Sequence, residues 1–177
     1  FSMDLTGTPP VASSPLSLGV SKYGPCTVDH AIFQDEISVL WARREQVTPG
    51  VMEDTLVVRP LGASRKLASR NAQLPGVRLV KFPGKHRAPF DVLALGAGRL
   101  AVCWVHRGYD GSRQLRLQVF TTAGTPLTEF MEVPAWSHPT DPHLVDGARE
   151  GEVLLVFLDR PQSKEKMQVR AALLEIR

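Results

Sequence analysis

Three runs in this chain share one layout, and that layout leaves few folds open. Glu36-Ile37-Ser38-Val39-Leu40-Trp41, Arg99-Leu100-Ala101-Val102-Cys103-Trp104 and Glu152-Val153-Leu154-Leu155-Val156-Phe157 each begin with a charge and place an aromatic five residues later. Arg44, Arg107 and Arg160 follow those aromatics by three residues. In an extended chain successive side chains point to opposite faces. Ile37, Val39 and Trp41 therefore share one face, as do the matching residues of the other two runs. The alternate positions are apolar or small as well. A strand of that kind needs cover on both sides, as in the interior of a layered fold.

Each run has neighbours of its own kind. Upstream, after a proline-bearing loop, lie CTVDHAIF, PFDVLAL and PHLVDGA. The turns QDE, GAGR and REGE join them to the runs, and the glycines of GAGR suit a tight hairpin. Downstream, after a polar turn, come TLVVRPL, LRLQVFTT and MQVRAALLEI. PLTEFMEVP follows as a fourth strand in the second set, and GVRLVKF takes that place in the first. Fourteen glycines and fourteen prolines break the chain into short elements and leave no helical period except over residues 167–177. The position of that segment in the pattern assigns it to a strand.

The fold expected over residues 23–177 is therefore all-β, with three repeated antiparallel sheets of three or four strands. A twisted β-sandwich, in which only hairpins recur, is the alternative. Residues 1–22 are rich in Ser, Thr, Pro and Gly and read as an extended arm or linker, with room for one strand around residues 17–20.

From about residue 25 to residue 176, this succession of proline-bearing loop, apolar strand, short turn and aromatic-ended run resembles a β-propeller, in the loose sense shared by sialidase-like and WD-repeat proteins. Neither an S-x-D-x-G-x-T-W box nor a GH…WD signature is present. Asp110-Gly111-Ser112 comes nearest to the first and lacks its Thr-Trp. Propellers close a ring with roughly four to eight blades, so three sheets imply a partial ring, an assembly of copies, or some other cover for the edges.

The resemblance also implies that loops after each second strand, and loops between sheets, gather on one face. Arg44, His106, Arg107, Tyr109, Asp110, Asp159 and Arg160 then form a candidate ligand face, with Arg43, His86, Arg87, His138 and Asp141 nearby. Three guanidiniums converging on one point clamp a carboxylate through paired hydrogen bonds, as sialidase-like enzymes do. Carbohydrate binding, or a sialidase-like site, is one reading of such a face. The plainer expectation is that strand-end arginines are solvated or pair locally with Glu45, Asp110 or Asp159.

Charge supplies a second candidate. The chain carries 21 Lys and Arg against 18 Asp and Glu, a net charge of +3, but no acidic residue lies between Asp54 and Asp91. That interval holds Arg59, Arg65, Lys66, Arg70, Arg78, Lys81, Lys85 and Arg87. From Arg65 onward these residues form a candidate polyanion-binding patch for an acidic partner or nucleic acid. Phe82 is the only aromatic inside the patch, a poor platform for base stacking. The same charges serve equally to keep a sheet edge from pairing.

No G-x-S-x-G elbow, P-loop or catalytic-looking Cys–His arrangement marks a nucleophile. SHPTDPH holds His138, Asp141 and His143, residue types that bind metals, but no second cluster adds ligands, so no metal or cofactor is assigned. Cys103, inside an apolar run, reads as a small buried hydrophobe; Cys26 lies beside a turn, and the pair does not fix a redox compartment. No run of about 18 apolar residues is present to span a membrane. With no catalytic residue assigned, the expected function is a non-enzymatic protein-interaction or scaffold module. It would present its loops to a protein partner or to further copies of itself; polyanion and carbohydrate binding are the alternatives.

Overall fold

A computed structural model describes residues 28–33, 36–49, 51–60, 77–82, 89–108, 110–134, 138–160 and 166–176. These residues form eleven strands and no helix. The all-β expectation holds. The first sheet has the order β1 (Val28–Phe33), β2 (Glu36–Thr48), β3 (Val51–Pro60), β4 (Val77–Phe82). The second runs β5 (Phe90–Ala94), β6 (Arg99–Arg107), β7 (Arg113–Thr121), β8 (Met131–Val133). The third comprises β9 (Thr140–Asp146), β10 (Glu152–Asp159) and β11 (Gln168–Glu175), with β10 in the middle. Every ladder is antiparallel. Within the 167–177 segment, with its good helix formers, Gln168–Glu175 is thus a strand, because β10 offers it a complete ladder from Glu152↔Glu175 to Asp159↔Gln168. The arm at residues 1–22 lies outside the described residues.

The packing follows from the alternation in β6. Leu100, Val102 and Trp104 join Phe90, Val92 and Phe120 of their own sheet and pack on Leu56 and Val58 of β3. Ala101, Cys103 and Val105, on the other face, join Leu115, Leu117 and Val133 and pack on Leu144, Val153, Leu155 and Phe157 of the third sheet. The second sheet is therefore the middle layer, dry on both sides. Burying each of the larger side chains contributes about 2 kcal/mol, so a polar residue anywhere along β6 would disrupt one of two cores. Burial also pushes the Cys103 thiol far up, with the Asp91 carboxylate adding to the effect.

The first strands of successive sheets meet side by side, β1 against β5 and β5 against β9. A polar tie fixes the second of these meetings: Asp91 of β5 accepts a hydrogen bond from the Leu144 N–H of β9 at 2.5 Å. β9 is an edge strand, and this bond satisfies a donor its own sheet cannot. The buried Pro142 beside it is tolerated because an edge position has no ladder partner to lose.

One element is longer than the sequence suggests. A polar turn is expected after Trp41, yet the β2–β3 ladder continues through Arg43↔Thr55, Arg44↔Asp54 and Glu45↔Glu53 to Thr48↔Val51. Backbone pairing is indifferent to side-chain polarity, so charged residues extend a ladder wherever the core does not claim them.

The GAGR hairpin uses the left-handed region three times in succession, with φ of 75° at Gly96, 48° at Ala97 and 70° at Gly98. The Arg99 N–H donates to the Gly96 carbonyl at 3.0 Å and closes the turn. A Cβ on Gly96 would meet nothing within 4 Å, so the backbone alone demands glycine there. Gly96→Ala is expected to cost about 1 kcal/mol, seen as a lower urea midpoint with an unchanged slope, while Ala97→Gly does not destabilise.

Candidate functional site at the arginine-bearing strand ends

β6 ends in His106 and Arg107, and β7 starts with Arg113 directly across from Arg107 in register. Directly opposed side chains on one sheet face stand roughly 5 Å apart at Cβ. The connection is a compact turn. The Gly108 N–H donates to the Ser112 carbonyl at 2.9 Å, and the Gly111 N–H donates to the Gly108 carbonyl at 3.1 Å. Asp110 Oδ1 accepts from the Ser112 N–H at 3.0 Å. Hydrogen bonds from the Ser112 side chain and backbone hold the Asp110 carboxyl below its usual range. A Cβ at Gly108 would lie 2.5 Å from Asp110 Oδ1 and 2.6 Å from Ser112 Oγ, so a larger residue there would displace these two exposed side chains. Tyr109 lies outside the described residues.

Arg160 follows β10 immediately and brings a third guanidinium to this end. The Arg113 guanidinium is shifted below its ordinary value, first by partial burial and then by the positive charges of Arg107 and Arg160. The three thus lie within electrostatic reach of one another. Neither Arg107 nor Arg113 pairs with a carboxylate among the described residues. Arg107 Nε is buried without a hydrogen-bond partner. A shallow groove of about 360 Å³ opens beside Arg113, lined by Arg113, Gln114, Glu132, Val133 and Pro134. Guanidinium groups placed in this way are able to make paired, charge-assisted hydrogen bonds to an anion.

The other expected members of the ligand face are dispersed. His106 precedes Arg107 on β6 and so stands on the opposite sheet face, with Arg116 and Glu132. Its imidazole is lowered by burial first and by the Arg116 charge second, while Glu132 acts in the opposite sense. Arg116 itself is occupied: it reaches Gln114 Oε1 at 2.8 Å and Glu132 Oε1 at 3.1 Å, and lies 4.4 Å from the centre of the Phe130 ring. Asp159 is wholly buried; it accepts from the His138 N–H at 3.3 Å and pairs with Arg170 Nη1 at 3.4 Å. A buried carboxylate held this way orients the chain that carries Arg160; it does not face a ligand.

Arg44 sits within β2, opposite Asp54 in the ladder, away from any turn. Asp141 is exposed in a left-handed conformation, with φ of 46°. The exposed His143 places Nδ1 3.9 Å from Asp91 Oδ2. Among the described residues no group of three or more His, Cys, Asp or Glu is arranged to hold a metal.

Of the basic patch, Arg78 and Lys81 belong to β4, the outermost strand of the first sheet. Arg65, Lys66, Arg70, Lys85 and Arg87 lie outside the described residues. Arg113 was not singled out by the sequence reading. Its signal was the hairpin itself, since folding the chain about the turn between two strands sets Arg113 opposite Arg107.

Two measurements separate scaffold from site. Asp159→Ala removes the buried carboxylate that holds Arg170 and the His138 N–H and is expected to cost about 3 kcal/mol in urea unfolding, whereas Arg107→Ala and Arg113→Ala each cost under about 1 kcal/mol. His106, lowered from the usual imidazole value of 6.5, binds fewer protons folded than unfolded. Its contribution is present above the unfolded value and lost as pH falls through the window below it. The thermal midpoint should therefore drop less between about pH 7 and pH 5 in His106→Gln than in the parent protein.

No known protein-family profile matches the chain, and no curated protein is similar to it.

Proposed function

We propose that this chain is a non-enzymatic interaction module: a propeller-like stack of antiparallel sheets whose strand ends receive an acidic segment of a protein partner. The observation that carries the reading is the gathering of Arg107, Arg113 and Arg160 at one end of the second and third sheets, with Arg107 Nε left without a partner. A single carboxylate bound by two of these guanidiniums makes charge-assisted bonds of about 1.5–3 kcal/mol each, enough for a selective if modest affinity. The propeller-like arrangement is supported by the side-by-side meeting of β1, β5 and β9, the first strand of each sheet. It is supported too by the alternate placing of aromatics, Trp104 toward the first sheet and Phe157 toward the second.

A fluorescent peptide rich in Glu and Asp tests the reading by anisotropy, beside heparin and a sialyl-lactose probe. The peptide is expected to bind at low salt, to weaken as screening increases, and to lose at least tenfold in affinity in Arg107→Glu/Arg113→Glu. Absence of peptide binding at low salt, or binding that the double substitution leaves intact, would overturn it. Retention on heparin that depends on Arg65, Lys66 and Arg70 would favour the polyanion reading instead. Selective capture of the sialylated sugar would favour the carbohydrate reading.

A further inference from the structure

β6 and β10 begin at the opposite end of their sheets from Arg107 and Arg160, and their first residues flank a second groove, of about 280 Å³. One wall is the GAGR hairpin, with Leu95 and Arg99. The other is the β9–β10 hairpin from Asp146 to Glu152, to which Ile176, just after β11, adds its side chain. Leu95 and Ile176 also pack against the core shared by the second and third sheets. The groove therefore opens at the end of an inter-sheet interface, and its apolar surface is continuous with that core.

Backbone hydrogen bonds fix both walls. On the first, the Leu95 N–H donates to the Arg99 carbonyl at 3.0 Å and the Thr122 N–H to the Gly98 carbonyl at 2.9 Å. On the second, the Gly147 N–H donates to the Glu152 carbonyl at 2.9 Å and the Glu152 N–H to the Arg149 carbonyl at 3.0 Å. The Ile176 N–H donates to the Gly151 carbonyl at 2.7 Å and ties the end of β11 to the same turn. A Cβ on Gly147 would lie 2.8 Å from the Glu152 carbonyl group, and Gly151 has a φ of 82°, so glycine at both positions shapes this wall. A groove held in this way is formed before any ligand arrives.

Charge decides what the groove can take. Arg99 is partly buried, and its Nε is enclosed without a hydrogen-bond partner. Its guanidinium pairs with no carboxylate among the described residues. Arg149 Nε lies 3.9 Å from Glu152 Oε1, and Glu152 Oε2 accepts from the Arg149 N–H at 3.1 Å, so these two charges offset each other. Left over are the Arg99 cation and the carboxylates of Asp146 and Glu150, which join no ion pair among the described residues. A small anion alone is repelled by those carboxylates, and a small cation alone leaves Arg99 uncompensated.

We propose that this groove binds a small zwitterion with an apolar body, namely a free α-amino acid with an aliphatic or aromatic side chain. Its carboxylate supplies the charge-assisted bonds that Arg99 lacks, its ammonium group balances Asp146 and Glu150, and its side chain covers Leu95 and Ile176. The volume stands at the small end of ligand sites, which run from roughly 300 Å³ upward, and suits one such molecule. Asp146, Arg149 and Glu150 are exposed, so the groove is open on one side and the dissociation constant is expected to be of order 0.1–1 mM. The site shares no residue with the arginine-bearing strand ends, and either proposal can fail without the other.

Isothermal titration calorimetry of the 177-residue chain with L-leucine, L-methionine and L-phenylalanine tests the inference. At least one of them should give saturable heat. Isocaproate, which is leucine without its ammonium group, and leucinamide, which has no carboxylate, should each bind roughly tenfold more weakly or worse. Arg99→Gln should weaken the amino acid by about tenfold or more. Asp146→Asn/Glu150→Gln, at exposed positions, should weaken the amino acid but strengthen isocaproate, a reversal that a merely structural effect does not produce. Amide chemical shifts of the parent chain provide a measurement that needs no variant. On adding the amino acid they should move at Gly96–Arg99, at Asp146–Glu152 and at Ile176, and stay fixed at Arg107 and Arg113. Absence of binding by all of these amino acids, equal binding of isocaproate or leucinamide, or shifts centred elsewhere would each overturn the proposal.

Discussion

Everything described here depends on β6 being buried on both faces. A strand with one dry face specifies a two-layer fold; a strand with two specifies a middle layer and requires a sheet on either side. Leu100, Val102 and Trp104 meet β3, and Ala101, Cys103 and Val105 meet β10. The smaller residues of β6 lie on the side that receives Phe157, and the larger ones on the side that receives Leu56 and Val58. The two interfaces thus divide volume between them, as close-packed interiors require.

Carboxylates then set where the layers can and cannot slide. Asp91 bridges the second and third sheets through the Leu144 N–H, and Asp159 anchors the end of β10 through Arg170 and the His138 N–H. Both carboxylates are committed to the scaffold. Arg107 and Arg113, near the β6–β7 turn, form no ion pair among the described residues. Arg116 in the same sheet has a carboxylate, an amide and an aromatic ring around its guanidinium, although its Nε, like that of Arg107, is buried without a hydrogen-bond partner among the described residues.

Much of this architecture is legible in the residues, because the period-two pattern is local. Each segment read as a strand from Pro25 onward contributes at least part of a strand, only Met131–Val133 in the case of PLTEFMEVP, and the GAGR turn carries the positive φ values its glycines suggest. The extent of β2 and β3 was not legible: whether Arg43–Glu45 continue a ladder or form a loop depends on the partner strand, not on their own preferences. The candidate site was half legible. Alternation separates His106 from Arg107, and the turn between Arg107 and Arg113 pairs those two. The burial of Asp159 had no local signature, since its environment is assembled from residues 21 positions before it and 11 after it.

By itself, the sequence determined that the chain makes short, doubly apolar strands joined by glycine- and proline-bearing turns, since hydrophobic period and turn chemistry act over a few residues. Only the tertiary structure decided which faces meet, which carboxylates are consumed in holding them, and which arginines come together at the strand ends. Those outcomes depend on contacts between segments tens of residues apart, where packing and desolvation, not local preference, select the partner.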